Sequence, residues 1–356
     1  MRDAIILSGW TWEANNVPER MAKVLAGAGA RILYCENPVS VFRQAPRALT
    51  EISKNVFAFG LKFLGHRLNA FSVLSRIQAV FMANQITAYA EELKLQDPLL
   101  IYPHGDYCLS LCKEFKRRGF RLVNICMDYE LSIMREHIRQ ADLALVIPYA
   151  AFVELKQEFG KKIRLIPQFS TVSAFRVSQR GGSSEPSDLS LIPRPRLGYF
   201  GELTGRVSLR LLGEILAKHS AWQFISFGKK KSLALHNEHV LSWRPQEELE
   251  LVLDGLDVGF MPYDCSVPKN LHCVPLKLFD YFARGMPVVS TPIQYLKECE
   301  ELVYLGDTAD TLAESVSAAL SEPADSPKKA KRKAIAHEHA VENLSRLLAP
   351  MLDELR

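Results

Sequence analysis

The chain alternates short apolar runs with stretches whose apolar residues recur every three or four positions. In its first half, Ala4-Ile5-Ile6-Leu7, Arg31 to Cys35, Leu99 to Tyr102, Leu122 to Cys126, Leu143 to Ile147 and Ile163 to Ile166 read as strands. Helical patterns lie between them. One spans about Pro18 to Ala26 with Met21, Val24 and Leu25 on one face, another ends near Leu95, and a third ends at Arg118. The second half repeats the alternation. Arg196 to Phe200, Trp222 to Phe227, Asp257 to Met261 and Val288 to Thr291 read as strands. Helices are predicted over Ser208–Lys218, Pro245–Leu253, Pro275–Arg284 and Thr308–Leu320, with a last one from Lys328 to the final residue. Strands separated by helices predict an α/β chain with parallel sheets and right-handed crossovers. Ser178 to Pro193 has no period and reads as a linker. The expected division is residues 1–177, linker 178–193, residues 194–325, and a terminal helix over 326–356.

Composition agrees with globular domains. The chain has 356 residues, 48% of them apolar and 24% charged, enough for two cores of ordinary size. A net charge of +4 gives no reason to expect nucleic acid as a partner. The seven cysteines are odd in number and form no CxxC, so they read as reduced thiols of a cytoplasmic protein. Ala4 to Trp10 is too short for the apolar region of a signal peptide, and no apolar run is long enough to span a membrane. One segment has a local bias. Residues 43–76 carry Arg43, Arg47, Lys54, Lys62, Arg67 and Arg76 among Val56, Phe57, Phe59, Leu61, Phe63, Leu64, Phe71 and Leu74. On a helix this pattern suits either an anionic membrane surface or a solvated face over a core stripe.

The densest chemistry lies in Pro275 to Pro292, a short amphipathic helix, a Gly285 stop and a buried strand. Lys277 and Asp280 stand three residues apart, on one helix face. An ammonium, a carboxylate and a helix N-terminus at the carboxyl end of a strand suit a nucleoside diphosphate. The cation and the N-terminus take phosphate, and the carboxylate takes ribose hydroxyls. The alternative is a packed helix with two surface charges.

The blocks "LGYFGELTGRVSLRLL", "HVLSWRPQEELELVL", "DVGFMPY" and "PLKLFDYFARGMPVVSTP", followed by "DTLAESVSAAL", resemble in order and spacing the nucleotide-sugar domain of family 4 type GT-B glycosyltransferases. The resemblance covers nearly the whole chain and is most specific over residues 196–320. It implies two Rossmann-like domains with parallel sheets facing a central cleft, the first binding acceptor and the second donor, and a terminal helix returning to the first. It implies transfer of a sugar from a nucleoside diphosphate sugar, of the UDP or GDP type, to a lipid-linked or polysaccharide acceptor at the inner membrane face. Two positions depart from the usual pattern. His272 stands where many retaining members have the first of two glutamates eight apart, and Glu202 stands where an Arg is usual. The form with Lys277 and Asp280 is closer to the exopolysaccharide branch that includes the xanthan glucuronosyltransferase, an inverting enzyme. In that branch the base is an Asp after an N-terminal-domain strand, which falls on Asp128 in "RLVNICMDYELSI".

Asp128 follows a buried strand, where a carboxylate serves as base, as acceptor ligand or as structural cap. His104, Asp106 and Glu130 also follow strands and are candidate acceptor contacts. Trp10 and Trp12 either stack on a sugar ring or a lipid head group or pack against the first helix. On the donor side, Arg206 and Lys277 are expected at the diphosphate, Asp280 at the ribose, and Gly201 where backbone approaches phosphate. Gly228, Trp243 and Arg244 are expected near the base, with Ser290 and Thr291 near the sugar and His272 near the diphosphate or the sugar. The chain has no Asp-x-Asp, so cations are expected to replace a metal at the leaving group, with no cofactor. Two other readings share the fold: a scaffold that keeps only nucleotide binding, and a sugar-nucleotide epimerase.

Overall fold

A computed structural model describes residues 3–12, 16–42, 47–64, 72–104, 108–168, 186–201, 203, 205–228, 233–242 and 246–355. The chain forms two compact units, Met1–Phe169 with Val341–Arg356, and Ser170–Ala340.

The first unit is built on β1 (Ala4–Leu7), β2 (Ile32–Ser40), β3 (Thr50–Ser53), β4 (Val56–Phe63), β5 (Leu99–Pro103), β6 (Leu122–Cys126), β7 (Leu143–Val146) and β8 (Ile163–Leu165). Their order is β3-β4-β2-β1-β5-β6-β7-β8. Every pairing is parallel except β3 with β4. The central strands are apolar throughout because helices cover both faces of a parallel sheet, and Ile5 sits between Leu33 and Leu100.

Two expectations change here. The basic and aromatic segment forms strands over Thr50–Ser53 and Val56–Phe63 and, among the described residues, becomes helical only from Ser72. Val56–Phe63 alternates aromatic and small residues and pairs with β2 as a strand, with Phe59, Leu61 and Phe63 buried. Arg43, Arg67 and Phe71 lie outside the described residues, and the helix of this region begins at Ser72 and ends at Glu92. Two helices that the sequence pattern did not announce, Leu131–Gln140 and Tyr149–Phe159, complete the crossovers. Met134 and Ile138 bury the inner face of the first, and Ala151 and Leu155 that of the second.

The second unit is a parallel sheet of β9 (Arg196–Tyr199), β10 (Gln223–Phe227), β11 (Glu238–Leu241), β12 (Val258–Met261), β13 (Val288–Ser290) and β14 (Tyr304–Leu305), ordered β11-β10-β9-β12-β13-β14. The order reverses between β9 and β12, the position at which open α/β sheets take ligands. Two glycines make room at this centre. A Cβ on Gly198 would fall 2.1 Å from Leu256, and one on Gly259 2.5 Å from the Tyr281 ring. Tyr281 then donates from its hydroxyl to Gly198 O at 2.9 Å and accepts from Phe200 N at 2.7 Å, tying helix Leu276–Ala283 to the end of β9.

At the other end of the sheet Arg332, wholly buried, forks onto both oxygens of Glu322 at 2.6 and 2.7 Å and donates to the Gly285 and Leu302 carbonyls. Burial alone would raise the Glu322 carboxyl, but the hydrogen bonds from Arg332 and Tyr304 hold it below its ordinary value.

The tail pattern reads as one helix, and the structure has two, Pro327–Glu338 and Val341–Asp353, broken at His339 and Ala340. They serve different cores. Arg332 and Ala336 are buried in the second unit. Leu344, Leu348 and Leu352 are buried in the first, where this helix packs on helix Val17–Gly27. Among the described residues no helix is long and apolar enough to cross a membrane.

Candidate functional site

In the second unit three elements meet around one ammonium. β9 ends at Tyr199, β12 runs on to Tyr263, and helix Leu276–Ala283 presents Lys277 in its first turn. Lys277 Nζ donates to Tyr263 Oη at 3.1 Å and lies 3.4 Å from Tyr199 Oη. It also sits 4.4 Å from the Tyr199 ring centroid and 5.5 Å from that of Tyr263, within cation–π range. Both tyrosines are 2% exposed and Lys277 is half-buried. Among the described residues Lys277 meets no carboxylate. Burial pushes the Tyr263 hydroxyl well above its ordinary value, so it stays a neutral phenol.

Gly201 borders this group with φ +155°. A Cβ there would stand 3.3 Å from the Tyr199 ring and 3.8 Å from Lys277 Nζ, so both conformation and space call for glycine. The loop carrying Arg206 is pinned nearby. Asp264 N donates to Arg206 O at 2.9 Å, Ser208 N donates to Pro262 O at 2.8 Å, and Val207 bridges to Tyr263. Buried Asn270 donates to the Arg206 and Asp264 carbonyls at 3.4 and 3.0 Å. Arg206 is half-buried, and its charge opposes the rise of Tyr263. A cavity of about 200 Å³ adjoins, lined by Tyr263, Asp264, Ser266, Thr291 and Asp307 among others.

The other donor-side candidates divide. Asp280 is on the Lys277 helix and is buried. Thr291 lines the cavity with its Oγ1 buried. Ser290 does not line it; its hydroxyl is spent on Met261 O at 2.9 Å, holding β13 to β12. His272 ends helix Pro268–Leu271 with its ring on Gln294. Gly228, at φ +110°, closes β10 and donates to Leu241 O. Trp243 and Arg244 lie outside the described residues. Tyr199 and Tyr263 are what sequence reasoning missed. Their signal was an aromatic residue at each of two strand ends, in "GYFG" and "MPYD".

In the first unit β5 delivers His104 and β6 delivers Asp128 and Glu130. His104 Nε2 lies 3.3 Å from Glu130 Oε2, and its Nδ1 lies 3.4 Å from Ile125 O. Glu130 N donates to Asp128 O at 3.1 Å, so the three share one edge. Asp128 is half-buried. The Trp12 ring meets Tyr34 edge-on at 5.0 Å with Lys23 of helix Val17–Gly27 over it, and the Trp12 backbone N–H donates to Glu36 at 2.9 Å. Trp10 is 43% exposed. Asp106 lies outside the described residues. Among the described residues no three His, Cys, Asp or Glu side chains form a metal-binding group.

Several solved structures share this architecture over their full length. The sucrose-phosphate synthase of Thermosynechococcus elongatus superposes with a TM-score of 0.70 at 14% identity, over 100% of this chain and 99% of that one. An E. coli trehalose-6-phosphate structure bound with UDP-2-fluoro glucose gives 0.68 at 12%, over 99% and 98%. The UDP-forming α,α-trehalose-phosphate synthase of Burkholderia xenovorans, in complex with glucose-6-phosphate, gives 0.68 at 12%, over 99% and 100%. The fold is GT-B. In sequence, this GT-B chain is 26% identical over 144 residues to TuaH of Bacillus subtilis strain 168, which is named as a teichuronic acid biosynthesis glycosyltransferase. That match covers 32% of this chain and 36% of TuaH, so the chain matches about a third of the length of its curated relative. No protein-family model matches.

Proposed function

We propose that this GT-B chain is a glycosyltransferase that moves a sugar from a nucleoside diphosphate sugar to a lipid-linked or polysaccharide acceptor, without a metal. The observation that carries the reading is Lys277: a half-buried ammonium at the sheet's switch point, held by two phenols and, among the described residues, facing no carboxylate. A cation so placed stabilises an anion, and the group that gains negative charge in glycosyl transfer is the departing diphosphate. Arg206 supplies a second cation, Asp280 takes the ribose, and the cavity beside Tyr263 and Thr291 receives the sugar. Asp128 takes the proton from the acceptor hydroxyl as it attacks the anomeric carbon, an inverting displacement.

Two observations support a membrane-side acceptor. TuaH, by its name, belongs to teichuronic acid biosynthesis. In the first unit Phe42, Val73 and Ile77 are 89%, 69% and 52% exposed, with Lys62 and Arg76 also exposed. Exposed apolar side chains among cations suit an anionic lipid surface better than a solvated face.

A thermal-shift panel of UDP- and GDP-sugars tests the donor reading. A true donor at 100 times its dissociation constant adds about 2.7 kcal/mol. Stabilisation by none of them, nor by UDP or GDP, overturns it. Asp128→Asn is expected to abolish transfer while leaving nucleotide binding intact, and an active variant removes Asp128 as base.

A further inference from the structure

We infer that Tyr199 and Tyr263 are positioning residues which aim Lys277 at the diphosphate while leaving its charge uncompensated among the described residues. The inference rests on the donor site proposed above and adds what sets its geometry. An ammonium has three N–H donors. In Lys277 two are directed at phenol oxygens, 3.1 and 3.4 Å away, and both phenols sit on buried rings at strand ends. The third donor is thereby left with a fixed direction, on a side chain that would otherwise sample many rotamers.

The choice of phenols matters as much as their place. A carboxylate in either position would fix the ammonium equally well but cancel its charge, and an arriving diphosphate would have to displace it. Neutral phenols with electron-rich ring faces hold the cation by hydrogen bonds and by the ring quadrupole, and subtract nothing from its net charge. The Tyr263 hydroxyl does not become a phenolate that would undo this, because burial opposes its ionisation. Gly201 belongs to the same arrangement. Its missing side chain leaves the space in which the Tyr199 ring and the ammonium meet, since a Cβ there would contact both.

Conservative substitutions separate the hydroxyls from the rings. Tyr→Phe keeps ring, volume and cation–π contact and removes only the oxygen. Binding of UDP and GDP, with uridine and guanosine beside them, is to be measured by calorimetry on the wild type, Lys277→Ala, Tyr199→Phe, Tyr263→Phe and the double Phe variant. The expected result is a loss of about three- to tenfold for the diphosphate in each single Phe variant. In the double variant the loss approaches that of Lys277→Ala, and nucleoside affinity is unchanged throughout. Diphosphate binding that Lys277→Ala weakens and neither Phe variant does would overturn the inference while leaving the donor site standing. A parallel loss of nucleoside affinity also overturns it, because that marks disturbed packing. If Lys277→Ala binds as the wild type does, or the wild type binds neither diphosphate, the donor site falls and the inference with it. Should Tyr263→Phe not fold, Tyr199→Phe decides alone.

Discussion

The strand ends of the two units treat charge in opposite ways. In the first, His104 faces Glu130 and Glu36 faces Arg47, so acids and bases meet each other. In the second, Lys277 meets only two phenols among the described residues, and its charge stays available. The second unit also shows that it can neutralise a buried cation, since Arg332 receives a bidentate carboxylate at the far end of the same sheet. The difference is therefore local to the switch point. Paired charges serve architecture or proton handling, while an unpaired cation is a place for an anion to arrive.

The sharpest test of that contrast is Glu322→Gln, which leaves Arg332 buried without a counter-charge. A loss of about 3–5 kcal/mol in unfolding free energy is expected, read by urea titration. The same pair sets an acid limit. The folded Glu322 carboxyl is depressed, so its contribution is complete above the unfolded carboxylate value of about 4.3 and disappears as pH falls through the folded value. Melts between pH 7 and pH 3 are expected to show a wild-type decline that Glu322→Gln lacks in part. Lys277→Met should act in the opposite direction. Removing an uncompensated cation is expected to raise ligand-free stability by about 0.5–1 kcal/mol while diphosphate affinity falls. A destabilised Lys277→Met would mean that Lys277 is structural and that the contrast is wrong. Smallest is Glu130→Gln, since Glu130 is partly exposed. A loss of about 0.2–0.5 kcal/mol is expected, and a much larger loss would place the His104 pair on the architectural side.

Fold class was legible in the sequence because parallel strands buried on both faces leave unbroken apolar runs, as in Ala4-Ile5-Ile6-Leu7. Lys277 and Gly201 stood out as a cation opening a helix and a glycine after a strand, and the structure brings the two together at the end of β9. The segment over Val56–Phe63 misled because basic residues among aromatics look alike on a helix and on a strand beside an antiparallel partner, and only the period of two separates them. β11 was missed because it is an edge strand of Glu-His-Val-Leu, half-exposed along its length, with no apolar run to mark it. The tyrosine pair was hidden for a different reason. Tyr199 and Tyr263 are 64 residues apart in number, and only the pairing of β9 with β12 brings them to one ammonium. Ser290 shows the converse: a hydroxyl in the right stretch of sequence whose bond to Met261 is set by strand register.

Helix Val341–Asp353 has a consequence for how the molecule is made. It completes the core of the first unit, yet every residue of the second lies before it in the chain. During synthesis the second unit can close while the first, begun earlier, still waits for Leu344, Leu348 and Leu352 to cover helix Val17–Gly27. The unit that starts first is finished last. A nascent chain halted anywhere in the second unit would carry an uncovered apolar helix face, a natural handle for chaperones, and a fragment ending at Phe169 would share that fate.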